Sequence, residues 1–252
     1  MEKVLINNST LTSIADAIRS KTNSIETYKP SEMPAAIHAM SMEGIDFKGL
    51  VDGSIKSFHI PYGASDNGVL TLRYQAFAQL TSLESLSFGE GITEIKFYKD
   101  NYSTDYDDVP FLGAGYDNKC AIILPSTIKS IGKMVFQDVI YNSLELPEGL
   151  EHIGEAAFRS YAYNRVASIG NLIIPSTVKT IDKDAFRNIQ VSAVYFKGTP
   201  ESIEDYALYF AKNYYLDGTS GYPTIYVPWS ERKGPAITGT NSTIVYDYTY
   251  TE

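Results

Sequence analysis

The stretch Leu124–Asp138, LPSTIKSIGKMVFQD, is written again 50 residues later as IPSTVKTIDKDAFRN, Ile174–Asn188. A looser third copy, LPEGLEHIGEAAFRS, fills Leu146–Ser160 between them. Aligned on Phe136, Phe158 and Phe186, the copies are spaced by 22 and 28 residues. Periods of this length belong to arrays in which each unit is too small to bury its own core and stacks on its neighbours instead. Repetition of this kind constrains the backbone more than any composition does.

Each unit has the same internal order. A short apolar run opens it (AIIL at 121–124, SLEL at 143–146, NLII at 171–174) and predicts a strand. Pro125, Pro147 or Pro175 follows at once and ends the strand, because proline has no N–H for a ladder. Two turn residues lead to an apolar pair, Ile128 with Ile131, Leu150 with Ile153, Val178 with Ile181. Five residues on comes the phenylalanine, predicted to stack on its counterparts as an internal aromatic ladder. Looser units extend the array upstream through VLTLRYQAF (69–77) and SLESLSFGEGITEI (82–95), and downstream through AVYFKGTPESIEDYALYF (193–210) and TIYVP (224–228). Five or six units exceed the three or so that stacking needs.

The chain has 252 residues and a net charge of −9. That balance predicts no nucleic-acid partner, since phosphate neutralisation needs clustered Lys and Arg. No apolar window is long enough to predict membrane insertion, and the start, MEKVLINNST, lacks the regions of a secretory signal. The single cysteine, Cys120, excludes an internal disulfide framework. Twenty tyrosines are the outlying count, and Tyr suits strands and recognition surfaces alike.

Two short amphipathic helices are predicted at the start. Ser9 or Thr10 can cap the first, with Leu11, Ile14, Ala15 and Ile18 on one face; Ser31 can cap the second, ahead of Met33, Ala36, Ile37 and Met40. At the other end TIVYDYTY alternates, so Ile244, Tyr246, Tyr248 and Tyr250 are predicted to share one face of a closing strand.

The pattern apolar-Pro-x-x-(Ile/Val)-x-x-Ile-x-x-x-Ala-Phe, clearest in LPEGLEHIGEAAF and IPSTVKTIDKDAF, resembles the BspA-like leucine-rich repeats over roughly residues 60–228. The cysteine that usually follows the phenylalanine in such repeats is missing. The resemblance implies a mainly β fold with short helical turns, a right-handed solenoid with one strand per coil, in adhesins and other surface-binding proteins. The flanks add to it. LTSIADAIRSKTNSIETYKPSEMPAAIHAM (11–40) and TIYVPWSERKGPAITGTNSTIVYDYTY (224–250) are similar to segments of tail and fibre proteins of phages that infect Gram-positive bacteria. Together these imply a helical attachment or capping segment over 1–45, a solenoid over 46–228 and a β cap over 229–252.

No HExxH, GxSxG, glycine-rich phosphate loop or CxxC is present. GAGYDNKC (113–120) has two glycines of a dinucleotide fingerprint but not the third, and reads as a loop. His38, His59 and His152 are dispersed, and His152 falls on a predicted solvent face. The stretch Lys96–Asp117 interrupts the repeat and gathers aspartates among tyrosines. Tyr98, Tyr102, Asp105, Tyr106 and Asp107 are therefore the candidate ligand-contacting residues, since aromatic faces beside carboxylates suit sugar rings. The acidic spacing does not match a calcium loop, and a polar excursion is the usual state of a long connection. No catalytic residue, metal site or cofactor is predicted; a glycan depolymerase acting through Asp105 and Asp107 is the weakest reading, because the two crowd one loop rather than facing across a cleft.

The expected function is thus non-enzymatic: a virion component of tail, baseplate or head fibre, made in the host cytoplasm, presenting a scaffold to a host-surface glycan or protein. The N-terminal segment would meet other virion proteins or further copies of the chain. A bacterial adhesin or protein-interaction module is the alternative.

Overall fold

The computed structural model describes residues 53–73, 76–78, 80–98, 109–161, 166–214 and 220–251. The chain divides into two units, Met1–Ile45 and Asp46–Glu252, and every described residue belongs to the second. The two helices predicted before Met40 lie outside the described residues.

Six successive coils each carry two strands. The first four pair β1 (Ser57–Ile60) with β2 (Val69–Arg73), β3 (Ser85–Phe88) with β4 (Glu94–Tyr98), β5 (Cys120–Ile123) with β6 (Ser130–Ile131), and β7 (Tyr141–Glu145) with β8 (His152–Ile153). The next two pair β9 (Asn171–Ile174) with β10 (Thr180–Ile181) and β11 (Ala193–Phe196) with β12 (Ser202–Ile203). A small antiparallel pair follows, β13 (Asn213–Tyr214) and β14 (Ser220–Gly221). β15 (Thr224–Tyr226) and β16 (Thr243–Val245) close the array. The long strands stack as two parallel sheets, β1-β3-β5-β7 and β9-β11-β15-β16, while the short ones form a second face in the order β2-β4-β6-β8-β10-β12. One strand per coil was expected; there are two. The second strand holds the second member of the apolar pair, and its register runs unbroken through Leu70, Ile95, Ile131, Ile153, Ile181 and Ile203.

The third side of each coil is the phenylalanine turn. Backbone bonds link successive turns at every second residue: Met134, Phe136 and Asp138 donate to the carbonyls of Glu155, Ala157 and Arg159, and Ala156, Phe158 and Ser160 donate to Lys183, Ala185 and Arg187. Left-handed residues at Met134, Asp138, Ala156, Asp184 and Asn188 turn the peptide groups toward the next coil. Asp and Asn tolerate that region better than most side chains.

Inside these three sides the rings stack as expected, and further than expected. Phe77, Phe111, Phe136, Phe158 and Phe186 form one column with centroid separations of 5.3, 6.0, 5.3 and 5.2 Å and interplanar angles of 18° or less. Each buried ring contributes about 1.5–3 kcal/mol through area removed from water, and stacking adds about 0.5–1.5 kcal/mol per pair. Phe111 corrects the reading of Lys96–Asp117 as an insertion. Lys96, Phe97 and Tyr98 finish β4, and Val109, Phe111 and Ala114 are buried core. Only residues 99–108 of that stretch lie outside the described part.

The copied Pro-Ser-Thr has a structural reason. The Thr127 hydroxyl donates to the Ile92 carbonyl and accepts the Gly91 N–H, both at 2.9 Å. Thr177 repeats this on Leu150 and Gly149, again at 2.9 Å. Ser126 and Ser176 bond Glu90 and Glu148 in the same way. Pro-Ser-Thr coils therefore stack on Glu-Gly coils, in alternation. That explains why the close copies are two coils apart.

Candidate recognition surface

In a parallel array in register, one outward position of each long strand falls in line with the same position of its neighbours. Here that row begins with His59 and Ser87, whose Nδ1 and Oγ are 2.9 Å apart, and continues through Ile123 and Glu145. Beyond the junction of the two long-strand sheets it continues as Ile173, Tyr195, Tyr226 and Val245. The adjacent row is Ser57, Ser85, Ala121 and Ser143, then Asn171, Ala193, Thr224 and Thr243. Its small side chains leave the first row standing proud.

The aromatic end of the row is built by the chain terminus. Tyr195 and Tyr226 stack at 4.8 Å and 7°. Tyr248 lies 4.8 Å from Tyr226 and 5.7 Å from Tyr195, and Tyr250 lies 5.7 Å from Tyr195. The expectation that Ile244, Tyr246, Tyr248 and Tyr250 share one face is corrected. Ile244 and Tyr246 pack on the core, whereas Tyr248 and Tyr250 sit over the outer row. The strand stops at Val245, and Asp247, left-handed at φ 55°, redirects the chain. Its N–H bonds to the Trp229 carbonyl, and the Tyr248 N–H to that of Val227. Trp229 anchors this closing segment, edge-on to Phe196 at 5.2 Å and covered by Gly234, where any side chain would collide with the indole.

Burial first, then the neighbouring Tyr226, Tyr248 and Tyr250 hydroxyls, push the Tyr195 phenol above its ordinary pKa. Lys197 reaches the same cluster, its Nζ 5.3 Å from the Tyr250 ring centre. It occupies the position where four other coils have Pro61, Pro125, Pro147 and Pro175, so its own N–H is available and bonds the Ile174 carbonyl at 3.0 Å. Its ammonium lies 3.5 Å from Glu148.

Lys197 also borders a groove of 450 Å³ at the junction between β7 and β9. The two strands are neighbours but not a hydrogen-bonded pair. Ile123, Ser143, Glu145, Asn171 and Ile173 line it. Ile123 is 52% exposed, large for an isoleucine at mid-array.

A family model of the BspA type leucine rich repeat region matches in six copies, over residues 45–102, 115–210 and 158–224. The chain belongs to that family. No curated protein and no solved structure matches it. The BspA-type match pauses between 102 and 115, the stretch in which Phe111 nonetheless takes its place in the phenylalanine column. At the positions after the phenylalanine, where a cysteine was missed, this BspA-type chain has Gln137, Arg159 and Arg187; the two arginines converge on the buried Asp184 at 3.0 Å each.

Of the predicted ligand-contacting residues, Tyr98 ends β4, half exposed, with the Arg73 guanidinium 5.5 Å from its ring centre. Tyr102, Asp105, Tyr106 and Asp107 lie outside the described residues. His152 is on the outer side of β8, its Nδ1 2.7 Å from Thr180 Oγ1 and its Nε2 3.6 Å from Asp182. GAGYDNKC is a turn leading into β5, with Cys120 fully buried. Among the described residues, no group of three or more His, Cys, Asp or Glu is placed to hold a metal, and no helix is long and apolar enough to cross a membrane. The Tyr195–Tyr226 row was missed because its members are 31 residues apart and meet only once register is known. The one available signal was the concentration of tyrosine near the terminus.

Proposed function

We propose that this BspA-type repeat chain is a non-catalytic recognition scaffold of a bacteriophage particle, a component of tail, baseplate or head fibre. The observation that carries the recognition half is the outer row. A hydrogen-bonded, ring-stacked array holds Ile123, Glu145, Ile173, Tyr195 and Tyr226 in one outward row, Ile123 exposed and Ile173, Tyr195 and Tyr226 half-buried. Aromatic and apolar side chains lined up at the surface of a rigid support are a usual mark of an interaction site.

The placement on a particle is supported by the two flanking segments, 11–40 and 224–250, and their similarity to phage tail and fibre proteins. In this reading residues 1–45 attach the chain to other virion proteins or to further copies of itself, and residues 46–228 present the surface to a host glycan or protein. Residues 229–252 close the array, a role supported by Trp229 and β16. The protein would then be made in the host cytoplasm and be found on the virion.

Mass spectrometry of gradient-purified particles from the phage that encodes the chain, with antibody labelling by electron microscopy, tests this. The chain should co-purify at a fixed stoichiometry and be labelled at one location. Absence from the particles, with the protein found instead on a bacterial surface, would replace the proposal with the adhesin reading.

A further inference from the structure

Three properties coincide on the outer row. The first is a pair of isoleucines, Ile123 and Ile173, in the wall of the groove between β7 and β9. The second is a set of groups that bond in both directions: the hydroxyls of Ser143, Tyr195, Tyr226, Tyr248 and Tyr250 and the amide of Asn171. The third is the charge. The Lys197 ammonium is 3.5 Å from Glu148, and Glu145 adds a further carboxylate to the groove wall. The local balance is therefore negative, like that of the whole chain at −9.

These restrict the occupant. A polyanion would meet net repulsion and lose more than Lys197 returns. An apolar peptide face would strip water from the phenols, the amide and the carboxylate without replacing the bonds. A ring with one C–H face and a rim of uncharged hydroxyls satisfies all three properties: the C–H face covers isoleucine and tyrosine, and the hydroxyls exchange bonds with groups that both donate and accept. At 450 Å³ the groove falls in the size range of small-molecule sites. We infer that the outer face from Ile123 to Tyr226, with Tyr248, Tyr250 and Lys197 at its aromatic end, is a binding site for a neutral oligosaccharide. The inference rests on the recognition reading above and names the chemistry of its ligand.

The test uses the full chain and saturation-transfer NMR. The probes are four neutral oligosaccharides, maltotriose, mannotriose, chitotriose and N-acetyllactosamine, with a heparin-derived tetrasaccharide as the polyanion. At least one neutral probe should receive saturation on its ring C–H protons, and the tetrasaccharide none. Tyr250→Ala and Ile123→Ser, both outside the core and checked for unchanged unfolding midpoints, should each weaken binding at least tenfold. Thr71→Ala, on the other strand face, should leave it unchanged. Several outcomes would overturn the site: no binding by any neutral probe, equal binding of the polyanion, or binding indifferent to both substitutions. Self-association that is lost in Tyr250→Ala would give the face to a second copy instead. Adhesion of the protein to host cells without oligosaccharide binding would sink the glycan site and leave the recognition scaffold standing.

Discussion

The Thr177 hydroxyl sits between two peptide groups of the preceding coil, 2.9 Å from the Gly149 nitrogen and 2.9 Å from the Leu150 oxygen. Gly149 is left-handed at φ 103°, which turns its N–H away from its own coil and leaves it dependent on the neighbour's side chain. Thr177→Val keeps the shape and removes both bonds. The expected loss is about 1 kcal/mol, since the donor left without its acceptor is part-buried. Urea unfolding should show a lower midpoint for the valine variant and a near-normal one for Thr177→Ser.

Phe158 lies in the most closely spaced part of the column, 5.3 Å from Phe136 and 5.2 Å from Phe186. Phe158→Ala should destabilise by about 3–5 kcal/mol, because neighbouring coils are tied by backbone bonds and cannot close the gap. Phe158→Leu should cost less. Thermal unfolding of the two variants, compared with the parent, checks the order.

Burial pushes the Cys120 thiol up to about 12 from its ordinary 9.0. The native protein should therefore be silent to a thiolate-specific disulfide reagent at pH 8 and react stoichiometrically once unfolded. The raised value also has a sign for stability. The unfolded thiol ionises first, so the contribution is intact below about pH 9 and declines as pH rises from there. A Cys120→Ala variant should show a weaker alkaline decline in unfolding midpoint.

Glu90 is held below the usual carboxylate range by the Ser126 backbone N–H first and the Ser126 hydroxyl second. A depressed carboxyl stabilises the fold above its unfolded pKa, and the effect is lost as pH falls through the folded one. A carboxyl-carbon NMR titration should find Glu90 ionising at lower pH than an exposed glutamate. Ser126→Ala should move it upward, part of the way back, because the backbone donor remains.

Much of the scaffold was legible in the sequence, and the reason is periodicity. Phe136, Phe158 and Phe186 recur at the same place in the copies, and identical surroundings force identical depth. β6, β8, β10 and β12 were not legible as strands because each is two residues long and shows no alternation. Phe111 was hidden because the polar run KDNYSTDYDD at 99–108 comes shortly before it and its spacing from Phe136 differs from that of the other copies. The outer row depends on register between strands, which no local pattern records. Tyr98 is the one predicted ligand residue whose place is described, and it stands on the short-strand face, away from Tyr195.

The alternation of Glu-Gly and Pro-Ser-Thr coils limits how such a gene can grow. Inserting a single coil would set Thr beside Thr, or leave a Gly91-type N–H facing a residue with no hydroxyl. An added pair, two coils in the order Glu-Gly then Pro-Ser-Thr, restores every contact at the seam. Unequal recombination in this array is therefore expected to be tolerated in steps of two coils, lengthening the molecule by doublets.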